Sequence, residues 1–492
     1  MRRLVPLAMF AALLACNAQP PGYRSAAVPT RTSSAAFTDS PRPTATTLPP
    51  PSATPTVPPS PTLAPGRYRI QSGDTLAALA ARFGLDPAAL LARNPGLSPT
   101  QTLPPGLLVD LPGEPRPRAS FTQFLLPDSE VVLSPLARGF DVRAFVLGQP
   151  GFLAAYSEVL QEDQPARAGW EIVELYAHRY SLNPRLLLAL LEFQSHALTL
   201  PAVDEFTRDH PLRVEAPDLK PGLSHQLGYA ANQLNWAYYD WRAGAAPGFE
   251  LADGAWLTAD PNLNAGSYAL ARLLGRLYRR EAFLPAAGPA GLLAAYRALF
   301  GEPAAYALEP LLPGGLTQPE LQLPFEPRKA WNFTSGPHRA FGRGTPRAAL
   351  DFAPPLNVSG CGPTDEWAVA VQAGEIIYAA DGIVELALGD GWEVVYLHIA
   401  ARDRLPVGRS VQAGDRIGHP SCEGGEATGV HLHLARKYQG EWIPTDGFAP
   451  LVLSGWVSQA GAQTFEGALV KGDRVVEACP CASPETVIQL EP

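Results

Sequence analysis

In the stretch GVHLHLA, His431 and His433 stand on either side of Leu432. Residues i and i+2 of an extended strand share a face, so both imidazoles can reach one locus. A catalytic zinc takes three protein ligands of N or O type and leaves a fourth position open for water. The pair therefore offers either two ligands, or one ligand and one base. Five of the nine histidines lie between 338 and 433. His398 closes the apolar run VVYLHIA; alone it reads as a core histidine, but beside the others it becomes a candidate. His419, in DRIGHPSC, reads as a turn residue. Upstream, GPHRAFGRGTPRAALDF places His338 thirteen residues before Asp351, with Arg347 four residues before it. A guanidinium has no lone pair for a metal.

These residues need a rigid frame. From Leu323 the texture is short β-branched and aromatic runs broken by Gly, as in WAVAVQAGEIIYAADGIVELALGDGWEVVYLHI, which predicts an antiparallel sheet over 323–450. Residues 451–492 read as a β-rich extension of no evident role. Residues 141–311 carry periodic apolar faces (WEIVELYAHRY, NPRLLLALLEFQSHAL, LGYAANQLNWAYYDWR), with Asn183 and Pro184 starting one helix, and predict an all-α middle domain. At 66–113 the order is strand, helix, helix, strand, with Asp74 placed to cap the first helix. The expected fold is thus multidomain α+β.

The N-terminus has two arginines, an apolar run from Leu4 to Leu14, then Ala15 and Cys16. It reads as a secretory signal over 1–15, too short for a retained membrane span. Residues 16–65 are Pro, Thr, Ser and Ala with almost no large apolar side chain, the composition of an extended tether. A formal charge of −9 offers no basic footprint for nucleic acid. Four cysteines remain beyond Cys16, and an even number in an exported chain favours disulfides in one of three connectivities. Cys361 with Cys422 is favoured over ligation of metal by the C-x-C pair Cys479 and Cys481.

Four resemblances add to this reading. Leu13, Leu14, Ala15 and Cys16 resemble a bacterial lipobox, implying lipid attachment at Cys16 and an anchor in the cell envelope. The GDTL and N-P-x-L segments of 66–113 resemble the LysM module, which implies binding to peptidoglycan glycan strands. RYSLNPRLLLALLEFQS faintly resembles the catalytic helix of lysozyme-like transglycosylases, although Gln194 stands where their acid would be and Glu192 lies two residues off.

The ordered segments x-L-D-F, Y-L-H, VGRSVQAGDRIG and CEGGEATGVHLHL resemble the lysostaphin and LytM-type zinc peptidases that cut peptidoglycan cross-links. Most of that family takes its first ligand four residues before the Asp, where this chain has Arg347. The beta-lytic branch instead uses a G-x-H segment further upstream, and it carries C-E-G-G-x-x-T-G-x-H-L-H. Gly336, Pro337 and His338 supply the first motif, and Cys422 to His433 the second. The resemblance implies Zn2+ bound by His338, Asp351 and His433, with His398 and His431 flanking the open position. The segment between His338 and Asp351 is then expected to be a loop. The implied activity is an exported zinc metalloendopeptidase acting on peptidoglycan. The alternative is a non-catalytic activator or wall-binding protein that keeps the fold.

Overall fold

Alternation of side chains across strands builds the frame of the site. The computed structural model describes residues 66–112, 119–161, 164–216, 218–244, 248–355, 360–481 and 483–490. The predicted signal, Cys16 and the tether lie outside them. No helix among the described residues is long and apolar enough to cross a membrane.

The C-terminal half is an antiparallel sheet of nine strands among the described residues. Its main strands are β1 (Ala330–Arg339), β2 (Arg347–Ala353), β3 (Gly374–Ala380), β4 (Ile383–Gly389), β5 (Trp392–Leu397), β6 (Leu432–Tyr438) and β7 (Val487–Gln489). Across the sheet the order is β3, β4, β5, β6, β2, β1, β7. Leu350, Phe352, Val394, Tyr396, Leu432 and Leu434 turn to one face and form a core with Trp331, Phe333 and Trp456. Fully burying each such side chain contributes roughly 1.5–3 kcal/mol. Ala349, Val395, Leu397 and Ala435 turn to the other face and join the core of the helical region. His433 and Asp351, in register across β6 and β2, share that second face by parity.

Among the described residues, the β-rich segment after 450 packs against the sheet. Strand β7 pairs with β1 at the sheet edge, and Val452–Leu453, Trp456–Ala460, Gly467–Lys471 and Arg474–Glu477 form a four-stranded sheet. Leu453, Trp456 and Leu469 are buried in the same core as Phe352, which is why the segment folds back.

The middle region holds helices α1 (Gly169–Tyr180) and α2 (Leu223–Arg242) among others, with Asn183 capping the helix Pro184–Ser195 as predicted. It is not all-α: Ser157–Glu158 pairs with Arg167–Ala168, and Gly248–Glu250 pairs with Trp256–Thr258. Phe249 and Leu257 bury into the helical core from the second hairpin, an anchoring that helical periodicity does not register. The region also starts before 141, because Phe121, Leu125, Leu126 and Val131 belong to its core.

Its border with the sheet is charged as well as apolar. Fully buried Lys437 lies 3.0 Å from Glu385 and 3.3 Å from Glu393, and His178 of α1 stacks on Tyr378. At 66–112 the strands Arg67–Arg69 and Leu108–Asp110 pair around helices Leu76–Phe83 and Pro87–Arg93. Thr75, not Asp74, caps the first helix. Asp74 is instead buried, accepting from the Tyr68 hydroxyl and pairing with Arg82.

Candidate metal centre

His338, Asp351 and His433 converge, their ligand atoms all within 4.8 Å of one another. The expected loop between the first two is a hairpin: β1 runs through His338, residues 340–346 turn, and β2 begins at Arg347. Ser335 pairs with Asp351 but His338 with Ala349, so one extra residue is inserted on β1. That bulge lies at Gly336 and Pro337. It shifts the alternation by one and brings His338 onto the face of Asp351. Proline is tolerated at a bulge because it has no N–H to donate. A Cβ on Gly336 would come 2.6 Å from the Glu466 carbonyl oxygen, so this approach requires glycine.

The tautomers are fixed by backbone carbonyls. His338 donates from Nδ1 to the Gly336 carbonyl at 2.9 Å, and His433 donates from Nε2 to the Ala340 carbonyl at 2.9 Å. Their remaining nitrogens, His338 Nε2 and His433 Nδ1, face each other at 3.0 Å. Asp351 Oδ1 lies 3.3 Å from the first and 3.1 Å from the second, and this buried oxygen has no hydrogen-bond partner among the described residues. With both rings neutral, three lone pairs meet with no proton between them. That is unfavourable unless a cation is shared. Tetrahedral zinc with ligand bonds of ~2.0–2.2 Å separates its ligand atoms by roughly 3.3–3.6 Å, so the donor set fits zinc with little movement.

Electrostatics agree with a cation site. Burial works to raise the Asp351 carboxyl, but His338 and His433 hold it well below the usual carboxylate range. Burial lowers His433, and neighbouring His338 and His431 add to this, so it stays neutral. Burial also opposes charge on His338, yet Asp351 and the Gly336 carbonyl outweigh it and raise this imidazole.

His398 and His431 flank the trio, their ring centres 4.4 Å apart. His431 lies just before β6 and donates from Nδ1 to the Gly429 carbonyl at 2.8 Å, which leaves Nε2 3.9 Å from Asp351 Oδ1. His398 follows β5 with φ of 66° and donates from Nδ1 to the Glu423 carbonyl at 2.8 Å. Such a backbone conformation costs energy in a non-glycine residue and is concentrated at functional sites. Burial, with His431 and His433 nearby, lowers His398 to about 3. His419 lies away from the trio, bonded to the Glu366 carbonyl and packed on Trp367.

The Cys361–Cys422 disulfide is present and ties the segment after Asp351 to the loop that presents Glu423 and His431. Cys479 and Cys481 form a second one. Replacing Cys361 and Cys422 together with Ser is expected to remove roughly 4 kcal/mol of stability, given a sequence separation of 61. The check is a denaturant melt of the oxidised wild type against the variant.

Two supports were not anticipated. Asn232 of α2 accepts from the Arg343 and Gly344 N–H groups in the β1–β2 turn, and Arg179 of α1 donates to the Gly424 carbonyl. Polar side chains on helix surfaces carry no signal of such long-range partners. Arg347 points away from the trio and donates to the carbonyls of Gly461 and Ala462. Glu192, the residue nearest to an acid in the lysozyme-like comparison, is engaged by the Leu198 N–H and the Thr199 hydroxyl.

A buried His-Asp-His set with two further histidines beside it could hold a metal ion. Residues 124–312 match the family model described as LasA, N-terminal domain, and residues 68–112 match the LysM domain. Protease LasA of Pseudomonas aeruginosa (strain UCBPP-PA14) is 29% identical over 332 residues, covering 63% of this chain and 73% of that protein. Beta-lytic metalloendopeptidase of Achromobacter lyticus is 27% identical over 164 residues, covering 31% of this chain and 41% of that one. Among solved structures, the M23 metalloprotease pseudoalterin aligns at a TM-score of 0.29 and 22% identity, covering 33% of this chain and 96% of that one. The site and the relatives together make the chain a zinc metalloendopeptidase.

Proposed function

We propose that the chain hydrolyses peptide cross-links of bacterial peptidoglycan, with the LysM module holding glycan strands and Cys16 carrying a lipid that tethers it to the cell envelope. The observation that carries this reading is the meeting of three proton-free donor atoms, on His338, Asp351 and His433, beside two histidines whose Nε2 atoms have no hydrogen-bond partner among the described residues. When bound, zinc polarises a scissile carbonyl and makes water nucleophilic near neutral pH.

The remaining roles fall to side chains. Gly336 and Ala340 hold the ligand rings by their Nδ1–H and Nε2–H, so the donor atoms stay aimed. His431 takes the proton of the attacking water at Nε2 and returns it to the leaving amine. His398, kept neutral, accepts a hydrogen bond from that water at Nε2 and orients it. The similarity to a beta-lytic endopeptidase and the LysM match support the substrate class.

Digestion of purified sacculi tests the proposal. New amino termini are expected, from protein carrying about one zinc per chain. A metal-free, folded protein that releases nothing would sink the proposal in favour of a non-catalytic wall protein. New sugar ends would instead implicate the helical region.

A further inference from the structure

The peptidase reading leaves unexplained a large apolar ring at the site. Phe465 is 58% exposed, yet it stacks on His338 with ring centres 4.9 Å apart. Its φ of 76° lies in the left-handed region, which a bulky side chain adopts only under constraint. The constraint is visible. The Gly336 N–H donates to the Phe465 carbonyl at 2.8 Å, and the Phe465 N–H donates to the Pro337 carbonyl at 3.3 Å. The bulge that presents His338 therefore also holds Phe465.

The rest of the loop is fixed from the other side. Between the strands Trp456–Ala460 and Gly467–Lys471, the carbonyls of Gly461 and Ala462 accept from Arg347 at 3.1 and 3.3 Å. Gly461 N–H closes the loop onto the Glu466 carbonyl at 3.0 Å. Arg347 thus acts as a strut, its cation turned from the metal trio to the segment that carries Phe465. One face of the ring covers the imidazole of His338, and the ring remains largely open to solvent beside the site. An apolar ring held exposed against strain is suited to contact a ligand.

Resting on the peptidase reading, we infer that Phe465 forms an aromatic wall of the substrate groove. It contacts the small or apolar residue of the peptide that lies over His338, and Arg347 is the positioning residue that holds its loop. A charged side chain at that substrate position would lose hydration against the ring and be disfavoured.

The test is steady-state cleavage of a soluble cross-link peptide by the zinc-loaded full chain, with zinc retention measured separately against a competing chelator. Phe465→Gly removes the ring and suits the left-handed backbone. It is expected to raise KM about tenfold with kcat within about twofold and zinc retention unchanged. Phe465→Tyr should restore KM. Arg347→Met, which keeps the aliphatic stem, should raise KM in the same sense. Unchanged KM in Phe465→Gly overturns the inference. So does zinc retention falling in step with activity, since the ring would then only guard a ligand. A wild-type chain that cleaves no peptide overturns the peptidase reading and this inference together, whereas an active wild type with an indifferent Phe465→Gly overturns this inference alone.

Discussion

His338→Ala is expected to reduce bound zinc from about one per chain to near zero after dialysis, and to lower peptide cleavage by on the order of 10^3 or more, the several kcal/mol that a metal supplies in such a step. Its Nε2 is one of three donor atoms, and its ring is aimed by the Gly336 carbonyl, so no neighbour can take its place without moving a strand. His419→Ala is the matched control. That imidazole bonds to Glu366 and packs on Trp367, so zinc content and cleavage should be unchanged. The same donor makes binding depend on pH. His338 is raised from its ordinary value, so as pH falls a proton competes for its Nε2 before one competes at His433, which is lowered. Zinc affinity in the wild type should therefore fall as pH drops through the range in which His338 protonates, and remain stable above it. Elemental analysis across a pH series reads this directly, and full zinc occupancy in His338→Ala would end the assignment.

Much of this centre was legible because its chemistry lies in short motifs. The i, i+2 spacing of His431 and His433 suits an extended segment; His433 lies in the strand over 432–438 and His431 in an isolated bridge just before it. His338 stands in a recognisable G-x-H segment, but the reason it reaches Asp351 is not visible there. A bulge at Gly336 and Pro337 shifts the alternation, and only pairing with β2 reveals it. In the sequence the hairpin between His338 and Asp351 reads as a loop because Gly342, Gly344 and Pro346 dominate its turn.

Long-range partners were illegible for a more general reason. Four residues before Asp351, Arg347 reads in the sequence only as a cation that cannot be a ligand. Its guanidinium reaches across to residues 114 and 115 positions away. The segment after 450 has no readable role in the sequence because its contacts are with β1 and His338, and neither leaves a periodic trace. Asn232 and Arg179 are likewise ordinary polar residues on helix faces until the turn at 343–344 and the loop at 424 are brought to them.

His431→Ala should lower kcat by about 10^2–10^4 while zinc stays bound, the range expected when a positioned acid–base group is removed. The two flanking histidines are not equivalent. Both have Nδ1 engaged by a carbonyl, and neither Nε2 has a hydrogen-bond partner among the described residues. However, burial together with His431 and His433 lowers His398 to about 3, which makes it a poor proton acceptor at neutral pH. His431 is also the more exposed of the two, with 17% of its side chain accessible, so it can reach both the incoming water and the departing amine. His398→Ala is therefore expected to cost less than His431→Ala, because it removes an orienting acceptor rather than the group that carries the proton. His398→Gln, which keeps an acceptor, should recover part of the loss, whereas His431→Gln should recover none. Cleavage by the four variants, each checked for zinc, separates the roles. Equal losses at the two positions, or recovery by His431→Gln, would reverse the assignment.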